Sequence, residues 1–195
     1  MVNIGHPLVD NFFQISHKEA RAKLGVEEDE FVVALIPASR EQEVRHVWPL
    51  IASAAKYLVD ICETHRRSIR FFVPVKLRNQ VKAFNVLLEK YGLLKHVQLW
   101  LEDSCIVMAV ADIAITKSGS VNVELALHNV PQVVVYRIDG ISAWISRNMF
   151  SFSVKFVSLV NVILGYQLVP EFIQEKASSE KNSRGSNEAI TITRK

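Results

Sequence analysis

The sequence has few cysteines and no long apolar run, and these two absences exclude several classes of protein. Only two of its 195 residues are cysteines, Cys62 and Cys105, too few for a disulfide framework or a four-ligand zinc site. We therefore expect both thiols to be reduced and buried. No apolar run reaches the roughly 20 residues that span a bilayer, and the N-terminus lacks the pattern of a signal peptide. The sequence predicts a soluble protein with no visible targeting segment.

Familiar catalytic and nucleotide-binding motifs are also missing. The sequence contains no HExxH, CxxC or GxSxG, and its six histidines are scattered. It contains neither the GxxxxGK[ST] phosphate loop nor the GxGxxG dinucleotide fingerprint. The formal net charge of +3 is spread along the chain, so binding to nucleic acid has little support. Any nucleotide would have to be held in another way.

Short apolar runs alternate with segments of helical spacing. The runs are rich in β-branched residues and nearly continuous in apolar character, which is typical of strands covered on both faces. The alternation predicts an α/β fold with a Rossmann-like, doubly wound parallel sheet. The predicted strands are 31–37, 69–75, 97–101, 112–116 and 132–137. The predicted helical segments are 17–24, 41–62, 77–91, 106–110 and 120–127.

The chain divides into three predicted parts. Residues 31–176 carry the strands and have the length of one domain. Residues 1–30 contain a GHP turn and a helix closed by Gly25, and we interpret them as a lead-in to that domain. Residues 177–195 are polar and have no period, so we expect them to be disordered.

Two loops at predicted strand ends suit an anionic ligand, because ligands of open parallel sheets bind outside the carboxyl ends of the strands. In the first loop Ser39 can cap the next helix, and Arg40 offers a planar, permanently charged fork to a phosphate. In the second loop Lys117, Ser118, Gly119 and Ser120 precede a helix whose N–H groups and dipole would face an anion.

The second loop also has a plainer interpretation. Ser120 can be an ordinary N-cap, and Glu124, one turn further, can merely complement the helix dipole. Glu124 could equally accept two hydrogen bonds from the vicinal hydroxyls of a ribose. Both loops would converge on one crevice, which favours a phosphate site. A phosphate site and a pair of ordinary helix caps stay open as alternatives.

Two further features leave a membrane contact open. The basic run 65–67, with Arg70, follows the first long helix and is either a solvated helix end or a contact with anionic lipid headgroups. The segment SAWISRNMF has an apolar face at helical spacing, which either packs in the core or lies on a membrane surface.

Five ordered segments carry a resemblance to a known family. IGHPLVD is similar to GHPLxD, LIPASREQEV to LLPGSRxxEI, and ADIAITKSGSVNVELAL to SDxxLxxSGTxxLELxL. PQVVVYRIDGISAWISRNMF resembles PMVVxYRxxxxTxWxxxxL, and VSLVNVILGYQLVPEFIQE resembles VSLPNxLxGxxxVPExxQ. These are motifs of the C-terminal half of lipid-A-disaccharide synthase, a glycosyltransferase of the GT-B fold, and they extend over residues 4–176.

The resemblance implies transfer of 2,3-diacylglucosamine from its UDP conjugate to 2,3-diacylglucosamine 1-phosphate, with neither metal nor cofactor. The C-terminal domain would hold the donor, UDP-2,3-diacylglucosamine, and an N-terminal domain would hold the lipid acceptor. We expect that this chain is truncated at both ends, contains the donor-binding part, and is inactive alone because the reaction needs both domains. The family implies a cytoplasmic or peripheral membrane location, or a mitochondrion for a longer form with a transit peptide.

The resemblance also assigns roles to single residues, with some departures from the family pattern. Ala38 replaces a Gly, Ser120 a Thr and Val160 a Pro. Negative charge on the departing UDP would be stabilised by fixed dipoles and by the guanidinium of Arg40. The implied contacts are Ser39, Arg40, Ser118, Gly119 and Ser120 to the diphosphate, Glu124 to the ribose, the backbone at Cys105 and Ile106 to the uracil, and Asn161, Glu171 and Gln174 to the donor sugar.

A second hypothesis is a non-catalytic module. Such a chain would associate with a full-length copy or with a membrane through residues 140–150. Self-association into a homo-oligomer is left open under both hypotheses.

Overall fold

A six-stranded parallel sheet with helices on both faces forms the fold. The computed structural model describes residues 15–38, 40–138 and 156–175. The strands lie in the order β3-β2-β1-β4-β5-β6. They are β1 (Phe31–Ile36), β2 (Ile69–Pro74), β3 (Val97–Trp100), β4 (Ile113–Lys117), β5 (Gln132–Ile138) and β6 (Glu171–Glu175). The helices are α1 (His17–Leu24), α2 (Glu41–Thr64), α3 (Val81–Lys90, after a 3-10 turn at Arg78–Gln80), α4 (Ser104–Val110), α5 (Val121–Leu127) and α6 (Leu159–Leu164).

The predicted α/β class and doubly wound parallel sheet are confirmed. Each of the five predicted strands is present, with ends that differ by at most one residue from the prediction. The sixth strand, β6, was missed by the sequence analysis. This strand lies at the edge of the sheet beside β5. Its sequence, EFIQE, is short and mostly polar, so it lacks the apolar run by which the other strands were predicted.

The core has two faces, and the alternation of side chains along β1 divides residues between them. Val33 and Leu35 pack against α2 and α3, where Trp48 meets the edge of the Phe84 ring at a centroid distance of 4.8 Å. On the opposite face Val32, Ala34 and Ile36 pack among residues of α1 and α4. Burial of both faces explains why the strands read as continuous apolar runs.

Helix α1 is capped at both ends and packs on the sheet. The Ser16 hydroxyl accepts a hydrogen bond from the Glu19 N–H at 3.2 Å, and the Glu19 carboxylate accepts one from the Ser16 N–H at 3.0 Å. The bonds from the Ser16 side chain and backbone lower the pKa of Glu19. Gly25 ends the helix at φ 59°, as predicted. Although the domain boundary at residue 31 stays a prediction, Ala20 and Leu24 belong to the core of the described structure.

The interpretation of Arg70 as part of an exposed basic run at a helix end is wrong. Arg70 lies in β2, its Nε is 3.0 Å from Oε1 of Glu30, and its Nη1 donates to the Gly25 carbonyl at 3.1 Å. The apolar run that follows residue 68 starts a strand, so the helix-end run is confined to residues 65–67, which are exposed. Arg70 therefore fastens the segment after α1 to the sheet.

The strand order reverses between β1 and β4, which are neighbours in the sheet. The chain leaves β1 towards β2 and β3 and returns to β4 on the other side. The loops after β1 and β4 therefore diverge and leave a crevice at the carboxyl edge of the sheet.

Several predicted features lie outside the described residues: the GHP turn, the SAWISRNMF segment and the polar tail 177–195. Among the residues that are described, none of the helices combines the length and the apolar character needed to cross a membrane.

Candidate functional site

Two basic side chains meet one carboxylate at the crevice between β1 and β4. Lys117 ends β4, and its Nζ lies 2.8 Å from Oε2 of Glu43 in the first turn of α2. Arg40 directly precedes α2, and its Nη1 lies 4.0 Å from Oε1 of the same carboxylate. The Arg40 side chain is 84% exposed and therefore able to reorient towards a ligand. The crevice thus carries two cations and one anion, a net charge that favours an anionic ligand.

The start of helix α2 differs from the prediction that Ser39 caps it. Arg40 occupies the N-cap position with an extended backbone, φ −88° and ψ 135°, and its side chain makes no capping hydrogen bond. Ser39 itself lies outside the described residues. The first N–H groups of this 24-residue helix have no intrahelical acceptor.

The loop after β4 is held by hydrogen bonds of Ser118 and of Asn122, a residue that the sequence analysis did not identify. The Ser118 hydroxyl donates to the Val157 carbonyl at 2.5 Å, and the Gly119 N–H donates to Oδ1 of Asn122 at 2.9 Å. Asn122 Nδ2 in turn donates to the Lys117 carbonyl at 3.3 Å. The conformation of the loop is therefore fixed before any ligand binds.

Ser120 does not cap α5 in the way predicted. It stands at the N-cap position, but its backbone is helical, φ −57° and ψ −29°, and its side chain makes no capping bond. A capping hydroxyl needs an extended backbone to reach the N–H groups of the first turn. The Ser120 Oγ therefore does not cap α5.

A buried pair of amide side chains supports this loop. Asn122 Nδ2 donates to Oε1 of Gln132 at 3.0 Å, and Gln132 Nε2 donates to the Asn122 carbonyl at 2.8 Å. Both side chains are buried, so each bond replaces a bond to water that is no longer available.

We expect Gln132→Ala to lower the free energy of unfolding by about 2 kcal/mol, because it strands a buried donor and a buried acceptor on Asn122. Urea denaturation followed by circular dichroism measures the change. The matched control is Gln98→Ala in β3, where the glutamine is exposed. Equal losses for the two variants would show that the amide pair has no special role.

A cavity of about 320 Å³, within the size range of small-ligand pockets, lies beside α4 on the face of the sheet that α1 also covers, and Ile15 and Lys23 are among its lining residues. Trp100, Asp103, Cys105 and Ile106 line part of it. Asp103 caps α4 by accepting from the Cys105 N–H at 2.9 Å, and its carbonyl accepts from Nε1 of Trp100 at 3.2 Å. Cys105 and Ile106, whose backbone is predicted to contact a uracil, thus line a cavity, and the sequence analysis did not name Trp100 beside them.

Cys105 is half-buried, whereas the sequence analysis expected it to be fully buried. Desolvation raises the pKa of its thiol to about 11, and the hydrogen bond and charge of Asp103 and the charge of Glu124 act in the same direction. At neutral pH the thiol is therefore protonated and a poor nucleophile.

Asn161, predicted to contact a donor sugar, is fully buried and forms hydrogen bonds within the protein. Its Nδ2 donates to the Val169 carbonyl at 2.8 Å and to Oε1 of Glu171 at 2.7 Å. Its Oδ1 accepts from the N–H groups of Leu168 and Val169 at 2.9 and 2.8 Å. These four bonds shape the turn between α6 and β6.

Glu171 is engaged in the same network. Its carboxylate accepts from the N–H groups of Val157 and Ser158 at 3.0 and 2.8 Å, just before α6. Because Ser118 bonds to the Val157 carbonyl, this network connects the loop after β4 to the start of β6. The backbone of Gln174 lies in β6, and its side chain is outside the described part of the chain.

The structure therefore brings most of the predicted site residues to one edge of the sheet. Arg40 and the loop 118–120 follow neighbouring strands, and Glu124 lies in the helix that begins directly after that loop. Sequence reasoning missed Glu43 and Lys117 as a pair, because nothing in the sequence shows that α2 and β4 meet. In the described ranges no group of three or more His, Cys, Asp or Glu side chains could hold a metal ion.

Comparison with known proteins gives consistent matches over the whole chain. A family model described as lipid-A-disaccharide synthetase matches residues 1–195. The lipid-A-disaccharide synthase of Gloeothece citriformis is 39% identical over 91% of this chain and 45% of its own length. That of Synechocystis sp. is 36% identical over 96% of this chain and 47% of its own length. The chain spans about half the length of the curated relatives it matches.

Proposed function

The chain belongs to the lipid-A-disaccharide synthetase family, and on that premise we propose that its sheet forms the nucleotide-sugar-binding half of a glycosyltransferase. The donor is UDP-2,3-diacylglucosamine and the acceptor is 2,3-diacylglucosamine 1-phosphate. The observation that carries the proposal is the basic crevice at the carboxyl edge of the parallel sheet, where Arg40 and Lys117 follow the neighbouring strands β1 and β4.

Each part of the donor has a complementary group at this edge. The diphosphate lies in the crevice with Arg40, Ser39 and the loop 118–120, where a guanidinium and the start of a long helix favour negative charge. The ribose hydroxyls donate to Glu124, and the uracil lies in the cavity against the backbone at Cys105 and Ile106. Trp100, which lines the same cavity, offers an aromatic face to the base.

The donor sugar lies towards the loop before α6. Asn161 and Glu171 act there by fixing the backbone of residues 157–158 and 168–169, since their hydrogen bonds are internal. Gln174, at the carboxyl side of β6, is the remaining candidate for a direct contact.

In the transfer step the acceptor hydroxyl forms a bond to the anomeric carbon and gives its proton to a base of the acceptor-binding domain, and the bond from that carbon to the diphosphate oxygen breaks. Negative charge develops on the departing UDP, where Arg40 and the fixed dipoles of the crevice stabilise it. The chain alone binds UDP without turnover, because a reaction between two substrates needs both to be held together. Membrane contact, self-association and an organelle location stay predictions.

Glu124→Ala tests the placement of the ribose. We expect UDP binding to weaken by at least about tenfold, because two hydrogen bonds to a charged acceptor are lost. Binding of 2′,3′-dideoxy-UDP should not change, since that ligand lacks the hydroxyls. Calorimetric titration of the 195-residue chain measures both affinities.

The control for this experiment is Glu89→Ala, an exposed glutamate near the end of α3. It should leave both titrations unchanged. A wild-type chain that does not bind UDP would refute the proposed function, whereas equal losses for the two ligands in Glu124→Ala would refute only the ribose contact.

A further inference from the structure

The ion pair between Lys117 and Glu43 joins the end of β4 to the first turn of α2 and has no role in the function described so far. We propose that Lys117 is a ligand of the donor diphosphate, and that Glu43 is the internal counter-ion of Lys117 until the diphosphate binds. The inference rests on the proposed function, because it needs a phosphate-bearing ligand in this crevice.

One carboxylate occupies the position between two cations. Its Oε2 is 2.8 Å from Lys117 Nζ, and its Oε1 is 4.0 Å from Arg40 Nη1. The side chains of Lys117 and Glu43 are only 21% and 32% exposed, so the pair lies within the crevice and not on its outer surface. The Glu43 carboxylate lies between two cations from neighbouring loops. A phosphate group of a ligand would bind the same two cations at this position.

Lys117 is fixed at its backbone and free to reorient at its ammonium group. Its backbone is in β4, where it pairs with Val135 of β5, and its carbonyl accepts from Asn122. The ammonium is a compact charge on a flexible stem, so it can move from one anion to another without a change in the sheet. A diphosphate offers more charge and more acceptor oxygens than the single carboxylate that it replaces.

The two partners of this pair should affect ligand binding in opposite directions. Lys117→Met removes a cation that contacts the diphosphate, and we expect UDP to bind at least about tenfold more weakly. Glu43→Gln removes a negative charge that repels the same group, and we expect UDP to bind about threefold more tightly, the effect of one unit charge about 6 Å away in water. A purely structural ion pair predicts the same direction for both variants, because both break the same bridge.

The matched control pair is Lys56 and Asp60, which lie 2.5 Å apart further along the same helix α2. Lys56→Met and Asp60→Asn break that bridge at a distance from the crevice and should leave UDP affinity unchanged. Calorimetric titration of the 195-residue chain with UDP and with uridine provides the readout, and thermal unfolding checks that each variant is folded. Uridine affinity should be the same in these four variants, since uridine carries no phosphate.

Two results overturn the inference while the proposed function stands: a change of UDP affinity in the same direction for Lys117→Met and Glu43→Gln, or an equal loss of UDP and uridine affinity in Lys117→Met. The inference is also overturned if neither Lys117→Met nor Glu43→Gln changes UDP affinity while Glu124→Ala weakens it. If the wild-type chain does not bind UDP, the inference and the proposed function fail together.

Discussion

Asn161→Ala is expected to lower the free energy of unfolding by about 3 kcal/mol, because it removes four hydrogen bonds and leaves several buried partners unsatisfied. The Val169 N–H and carbonyl are the most affected, since Val169 is itself buried. Urea denaturation followed by circular dichroism measures the loss. An effect of this size would identify Asn161 as a residue that shapes the turn between α6 and β6.

The control is Asn85→Ala on the exposed face of α3, which should change the free energy of unfolding by no more than about 0.5 kcal/mol. A direct contact of Asn161 with the donor sugar makes a different prediction. The variant would then keep its stability and its affinity for UDP and lose affinity only for the intact nucleotide sugar. That outcome would contradict the structural role.

The fold was largely predictable because burial leaves a clear signal in the sequence. The strands β1, β2 and β4 are covered on both faces, so their sequences are continuous apolar runs, and the 3.6-residue period of α2 is equally clear. The strand β6 and the helix α6 gave no such signal. The strand lies at the edge of the sheet, and α6 is six residues long with exposed side chains at Val162 and Ile163.

Candidate site residues could be predicted from the sequence when one residue or one loop suggests the chemistry. Contacts between residues that are distant in the chain could not. Arg40 and the loop 118–120 stand out because they follow apolar strands and precede helices. The bond between Lys117 and Glu43 depends on the order of the strands, which places β4 beside β1 although two strands intervene in the chain. The order of strands is a long-range property that local patterns do not contain.

The predicted cap at Ser120 failed for a related reason. The pattern SGS before a helix indicates a capping hydroxyl, but Asn122 supplies the oxygen that bonds to the Gly119 N–H. An asparagine inside the first turn was read as one more helical residue. Its burial against Gln132, across the turn between α5 and β5, decides which side chain holds the loop.

Arg40→Ala is expected to weaken UDP binding by about a hundredfold, the largest effect on affinity among the variants considered. A guanidinium can form two parallel charge-assisted hydrogen bonds to one phosphate, and each is worth about 1.5–3 kcal/mol. The Arg40 side chain is largely exposed, and its contact with Glu43 is a long one of 4.0 Å. Little interaction energy is therefore lost when Arg40 turns from Glu43 to the ligand. Calorimetric titration with UDP gives the affinity.

Two further variants separate the shape of the guanidinium from its charge. Arg40→Lys keeps the charge and loses the planar fork, so its affinity for UDP should fall by about tenfold and lie between wild type and Arg40→Ala. Arg67→Ala removes an exposed arginine between α2 and β2, at the opposite edge of the sheet, and should leave UDP affinity unchanged. If Arg67→Ala weakens binding as much as Arg40→Ala, the attraction comes from the overall charge of the chain, and the crevice between β1 and β4 is not the diphosphate site.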